Sequence, residues 1–154
     1  MSLDRNKIKD LYPFKENTLD IDGLKYNYVD EGQGEAVVMV HGNPTWSFFY
    51  RDLIKKLSPS YRCIAVDHIG CGFSDKPQDY EYTLENHVKN LTKLIDTLGL
   101  KKLSLVVHDW GGAIGMGYAT RHVDKIDKII VLNTAAFLSK DIPARIGLCK
   151  LPAF

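Results

Sequence analysis

The stretch SLVVHDWGGAIG, residues 104–115, puts a carboxylate where the chain is about to change direction. An apolar run stops at His108-Asp109-Trp110, and two glycines and a second apolar run follow. This pattern predicts a buried strand turning sharply into a helix, the kind of turn that presents a nucleophilic serine in G-x-S-x-G sequences. Here the central position is Asp109. It reads either as a nucleophile able to form a covalent ester or as an N-cap accepting from the first turn of the helix. Gly111 and Gly112 allow the turn to pack close to a sheet. The bulky Trp110 beside them has no packing reason legible in the sequence.

Two other loops follow apolar runs in the same way: His41-Gly42-Asn43-Pro44-Thr45-Trp46 and Asp67-His68-Ile69-Gly70-Cys71-Gly72. In open parallel sheets, sites form beyond the carboxyl ends of the strands, so all three loops are candidates. Asn43 is either a polar group for a site or a turn-former in an Asn-Pro pair. Trp46 reads as packing. His41 and His108, each inside a turn, read as tethers that hold loops by hydrogen bonds. His68, His87 and His122 show no triad or metal spacing, and Cys71 reads as a small loop residue. Asp67 and Asp75 hold their turns, with Asp67 kept as a candidate because it ends a strand.

The elements that must position these residues alternate regularly. Residues 18–30 read as two short strands around Asp22-Gly23, a hairpin signal. A strand at 36–40 is followed by a helix over 46–57, and a strand at 63–66 by a turn-rich segment. Thr83 caps a helix whose Leu84, Val88, Leu91, Ile95 and Leu98 share one face, and Gly99 ends it. A strand at 103–107, a helix at 111–122 and a strand at 126–132 complete the series. Strand–helix alternation at this spacing predicts right-handed crossovers and a parallel sheet covered on both faces. The segment 134–154 contains two prolines and no strand signal. It leaves the apolar strand at 126–132 on an open sheet edge, so we expect an incomplete fold or one that needs a partner.

Composition excludes several classes. The 154 residues carry a net charge of +1 with 20 scattered basic residues, which gives no nucleic-acid footprint and no polybasic membrane patch. The charged start lacks a signal-peptide core, and no apolar run is long enough to span a bilayer. Cys63, Cys71 and Cys149 have no metal spacing and an odd count, which suits reduced thiols and a cytoplasmic protein. No cofactor or metal site is expected.

Taken together, VVMVHGNPTWSFFYR, VDHIGCGFSDKP and VVHDWGGAIGMGYA resemble the haloalkane dehalogenase-like branch of the α/β-hydrolase family over residues 20–137. DHIGCG together with NTAAF and IPARIGLCKLPAF resembles the β-lactone decarboxylases of bacterial long-chain olefin biosynthesis. The resemblance implies an α/β fold: the N-terminal part of an α/β hydrolase, with an antiparallel hairpin, then parallel strands and helices on both faces, lacking the cap and the last strands. Residues 1–17 would be an N-terminal extension, 18–137 the partial core and 138–154 the start of the cap.

By the same resemblance, Asp109 is the nucleophile, and Asn43 and Trp110 stabilise the leaving group. The backbone N–H groups of those two positions form the oxyanion hole. A histidine-activated water then cleaves the alkyl ester, whereas a β-lactone would lose carbon dioxide to leave a cis-alkene. None of the five histidines matches the family's base, and no Asp or Glu lies between Asn133 and Lys140 to serve as the triad acid. The expected partner is a small hydrophobic substrate, with a complementary C-terminal chain or a homo-oligomer completing the fold. An epoxide hydrolase, which usually carries an aromatic residue after His-Gly and uses cap tyrosines, is the nearest enzymatic alternative; Asn43 argues against it. A cofactor-free luciferase is more distant. A non-catalytic half-domain is the alternative from another class.

Overall fold

Period-two alternation decides which side of a sheet each strand residue covers, and in this chain both sides are apolar. The computed structural model describes residues 4–135. β1 (Asn17–Ile21) and β2 (Leu24–Glu31) form an antiparallel hairpin. Asp22 and Gly23 join them at φ of 54° and 84°, the doubly positive geometry of a type I′ turn. β3 (Ala36–Val40), β4 (Arg62–Val66), β5 (Leu103–His108) and β6 (Ile126–Leu132) run parallel to one another. The six strands lie in the order β1-β2-β4-β3-β5-β6, with β2 antiparallel to β4.

Val38, Val40, Ile64, Val66, Leu105 and Val107 face one side, against Leu91, Leu94, Ile95, Ile114 and Tyr118 of α2 (Leu84–Thr97) and α3 (Trp110–Ala119). Val37, Met39, Cys63, Ala65 and Val106 face the other, against Tyr50 and Ile54 of the segment leading into and through α1 (Arg51–Leu57). Each fully buried Leu or Ile side chain contributes about 1.5–3 kcal/mol, so these two layers fix the strand register. Tyr12 and Phe14 are buried in the α1 layer, so the described part of the N-terminal extension packs on the core. Arg5 seals this contact, its guanidinium 4.3 Å from the Phe73 ring centre and its Nη1 donating to the Phe14 carbonyl.

Thr83 caps α2 as expected, its hydroxyl accepting from Asn86 N–H, and Gly99 takes a φ of 65° just past the end. Two helices differ from expectation. The helix expected over 46–57 is a 3-10 turn at Ser47–Tyr50 followed by α1. Asp67 Oδ1 takes Ser47 N–H at 2.9 Å and the Tyr50 hydroxyl donates to Val40 O at 2.9 Å, pinning that first turn to the sheet. The helix expected to reach 122 ends at Ala119. There the chain tightens into i→i−3 bonds, from Arg121 N–H to Tyr118 O and from His122 N–H to Ala119 O.

β6 pairs with β5 on one side and with no strand among the described residues on the other. Ile130, Val131 and Leu132 are exposed. On the α1 face an apolar groove runs past Val37, Leu53, Leu57, Val106, Ile130 and Leu132. The segment expected to begin a cap, 138–154, and Cys149 within it lie outside the described residues. Among the described residues no helix is long and apolar enough to cross a membrane.

Candidate active site at the carboxyl edge of the sheet

β5 delivers Asp109 and α3 begins one residue later. Asp109 itself stands at φ 51° and ψ −128°, a conformation costing a non-glycine residue about 1–3 kcal/mol that persists only when its surroundings enforce it. The enforcement comes from close packing. A Cβ on Gly111 would collide with the Val40 and His41 carbonyls, and one on Gly42 with the Asp109 side chain and the Trp110 backbone. Thr134 Oγ1 donates to the Asp109 carbonyl, tying the turn to the end of β6.

The two readings of Asp109 now separate. Its side chain makes no capping bond to α3. Instead Oδ1 accepts from Asn43 N–H at 2.8 Å, across from the loop after β3. No hydrogen bond among the described residues engages Oδ2, so one carboxylate oxygen is held and the other is free. The N-terminus of α3 favours the anion beside it. A held, ionisable carboxylate with a free oxygen at the mouth of a sheet can attack carbon.

Asn43 and Trp110 both lie beside it. Trp110 is 50% exposed, large for an indole without a ligand-facing role. With Cys71, His68, Tyr82 and His87 they line a cavity of about 370 Å³. On the other side of Trp110, Asp109, Ala113, Asn133 and Thr134 line a second concavity of about 290 Å³. Among the described residues, no hydrogen bond uses the Asn43 Nδ2 group or the Trp110 indole N–H. Of the two backbone donors expected in the oxyanion hole, Asn43 N–H is on Asp109 Oδ1, and Trp110 N–H is among the first-turn donors that a helix leaves without intrahelical partners.

The histidines divide by environment. His41 tethers loops as expected: its Nδ1 pairs with Gly42 O at 2.8 Å and its Nε2 accepts from His68 N–H at 3.1 Å. With both nitrogens occupied it has no lone pair left to activate water. His68 Nε2 returns the contact to His41 O at 3.1 Å. Burial pushes both imidazoles below the ordinary value, His68 far below, so the pair is neutral. His87 is likewise pushed down by burial. His108 corrects its expectation. It stacks on Phe49 with ring centres 4.4 Å apart, and its buried Nδ1 has no hydrogen-bond partner among the described residues. The β5 register turns its ring toward Phe49 rather than toward a loop carbonyl.

Asp67 was read as a turn-holder and the structure makes it an organising centre. Fully buried, it accepts from Ser47 N–H at 2.9 Å, Asn27 Nδ2 at 2.9 Å and Phe73 N–H at 2.8 Å. It therefore ties the loops after β3 and β4 to β2. Asp75 closes its turn through its backbone carbonyl, which accepts from Gly70 N–H at 2.8 Å, and its Oδ2 fastens that turn to β2, accepting from Lys25 N–H at 2.7 Å. Sequence reading missed Cys71, whose Sγ lies 3.7 Å from Asn43 Oδ1. Only the shared position of the two loops, each at the end of a strand, could have hinted at that contact. No cluster of His, Cys, Asp and Glu among the described residues is arranged to hold a metal ion.

A cis-3-alkyl-4-alkyloxetan-2-one decarboxylase of Shewanella oneidensis is 51% identical over 146 residues, covering 91% of this chain and 46% of that one. Haloalkane dehalogenase 2 of Mycobacterium tuberculosis is 38% identical over 134 residues, covering 87% of this chain and 47% of its own. The tetrameric haloalkane dehalogenase DpaA of Paraglaciecola agarilytica NO2 superposes with a TM-score of 0.85 at 34% identity, over 94% of this chain and 52% of that one. The chain spans about half the length of the curated relatives it matches. Residues 35–147 match the alpha/beta hydrolase fold family, and the chain belongs to it.

Proposed function

We propose that this chain carries the nucleophile half of an enzyme that decarboxylates cis-disubstituted β-lactones to cis-alkenes. Asp109 is the nucleophile, and Asn43 and Trp110 are the donors for the departing anion. The single observation that carries the reading is Asp109 held at φ 51° with Oδ1 on Asn43 N–H, Oδ2 free and no cap to its helix. The lactone is preferred over a haloalkane because the decarboxylase of Shewanella oneidensis is 51% identical and the dehalogenase of Mycobacterium tuberculosis 38%.

The chemistry balances with the residues present. Asp109 Oδ2 attacks the ring carbon that bears oxygen, from behind. The carbon–oxygen bond breaks, its electron pair leaves on a carboxylate, and the indole and amide N–H groups stabilise that charge. The bond to the carboxylate then breaks. Its electrons form the alkene, carbon dioxide departs and Asp109 is expelled unchanged. Inversion in the first step followed by anti elimination in the second gives the cis-alkene from the cis-lactone. No water is consumed. On a haloalkane or an epoxide the same attack stops at an ester, and Asn43 N–H then sits on the ester carbonyl oxygen, where it would stabilise the tetrahedral intermediate of hydrolysis.

A chain of full family length that contains this sequence tests the reading. A cis-3,4-dialkyl β-lactone is expected to yield alkene and carbon dioxide faster than a primary bromoalkane releases bromide. Rapid bromide release without reaction of the lactone would make it a dehalogenase. A diol from an epoxide would move it to the epoxide hydrolases. For the half-chain, the open β6 edge and the apolar groove beside α1 support a complementary C-terminal segment or a second copy as partner.

A further inference from the structure

A carboxamide stabilises an anion through its Nδ2 hydrogens and repels it through its oxygen. Asn43 therefore serves in only one of its two flipped orientations, and something must choose between them. Cys71 Sγ lies 3.7 Å from Asn43 Oδ1, within reach of a thiol donor.

The sulfur is delivered there by a well-held turn. Cys71 N–H donates to His68 O at 2.8 Å, and Cys71 O accepts from Ser74 N–H at 3.1 Å. His68 exchanges two hydrogen bonds with His41, which stands two residues before Asn43. The loop bearing the thiol and the loop bearing the amide are thus fastened to each other before the side chains meet. Burial pushes the Cys71 thiol up, so it remains protonated and able to donate at neutral pH. Both Nδ2 hydrogens of Asn43 are free of hydrogen bonds among the described residues.

We propose that Cys71 is a positioning residue, its S–H holding Asn43 Oδ1 so that the Nδ2 hydrogens face the departing anion. Cys71 touches no reacting atom; it acts through Asn43. The inference rests on the reading of Asn43 as an anion donor given above, and the test separates the two.

Bromide serves as the probe anion, titrated into a chain of full family length that contains this sequence and followed by bromide-81 line broadening, which needs no turnover. Asn43→Ala is expected to weaken bromide binding. Cys71→Ala is expected to weaken it about threefold to tenfold, the loss of one neutral hydrogen bond. Cys71→Ser, which restores a donor, should bind within about twofold of the unsubstituted chain on the same grounds. Cys71→Met, an acceptor that invites Nδ2 toward the sulfur, should bind no better than Cys71→Ala. If Asn43→Ala weakens binding and Cys71→Ala does not, or if Cys71→Ser loses as much as Cys71→Ala, the role of the thiol is overturned. If bromide does not bind, or Asn43→Ala leaves binding unchanged, the reading of Asn43 falls instead. One measurement needs no variant: in the unsubstituted chain, bromide should shift the Asn43 side-chain amide proton signals. Unmoved signals in a chain that binds bromide would overturn the proposed orientation.

Discussion

The two oxygens of Asp109 are inequivalent, and on the proposed reading that inequivalence sets its chemistry. Oδ1 rests on Asn43 N–H at 2.8 Å, whereas Oδ2 is open to an incoming carbon. In a chain of full family length, hydrolysis and decarboxylation leave different isotopic records on this side chain. One turnover of a haloalkane in oxygen-18 water should label Asp109, because water attacks the carboxyl carbon of the ester. One turnover of a β-lactone should leave Asp109 unlabelled, because the carboxylate departs with both of its own oxygens. Mass spectrometry of the Asp109 peptide reads the difference, and label on Asp109 after a lactone turnover would sink the water-free route. Asp109→Asn should abolish either reaction, since a neutral amide is a poor nucleophile. It should barely change the unfolding midpoint, because Asn also tolerates positive φ and its Oδ1 can still accept from Asn43. Near-normal turnover by Asp109→Asn would remove the nucleophile from the proposal.

Loops deliver this residue, and each loop is held by groups that carry no chemistry. Gly42 is the glycine packed directly on the carboxylate, because a Cβ there meets the Asp109 side chain and the Trp110 backbone nitrogen. Gly42→Ala should cost about 1–3 kcal/mol of stability by overpacking and displace the carboxylate, lowering activity in the full-length enzyme. Retained activity with unchanged stability would mean that the turn yields easily. The His41–His68 pair gives a pH signature. Burial holds both pKa values below the ordinary 6.5 in the folded chain. The unfolded chain therefore binds more protons once the pH falls below about 6.5, and stability declines from there downward. Each histidine contributes up to about 1.4 kcal/mol per pH unit between its folded and unfolded pKa. Urea unfolding at pH 7.5, 6.5 and 5.5 checks this, and a stability that rises on acidification would contradict it. Much of this scale was legible in the sequence. Thr83, Gly99 and the apolar run Ala36–Val40 act through neighbours in the chain, so their patterns fix local structure. Asp67, Cys71 and His108 were misjudged or underweighted because their partners come from other elements. Asn27 is 40 positions from Asp67 and Asn43 is 28 from Cys71, separations at which no periodicity operates.

At the scale of the whole molecule, the chain spans about half the length of the relatives it matches, and the open edge of its described sheet is apolar. The parallel order and the two-faced core followed from apolar strands alternating with amphipathic helices. The antiparallel join of β2 to β4 was not legible, since it depends on which sheet edge the hairpin finds. The exposed strand at 126–132 was legible, because a run such as IIVL belongs inside a sheet. In the structure β6 sits at the edge, with Ile130 41% and Val131 52% exposed on opposite faces. An apolar edge strand with unpaired N–H and C=O groups is a template for another chain, and transiently exposed surface of this kind promotes association. The 154-residue chain, expressed alone, is therefore expected to self-associate with a mass that rises with concentration. Val131→Lys places a charge on the exposed face of that strand, where it is solvated in the monomer and desolvated on pairing. It should shift sedimentation toward the monomer. The control is Lys128→Ala, which removes a charge from the same strand and should increase association. A chain that stays monomeric at high concentration without substitution, or a Val131→Lys variant that associates as strongly as its parent, would show that β6 is not the surface through which copies meet.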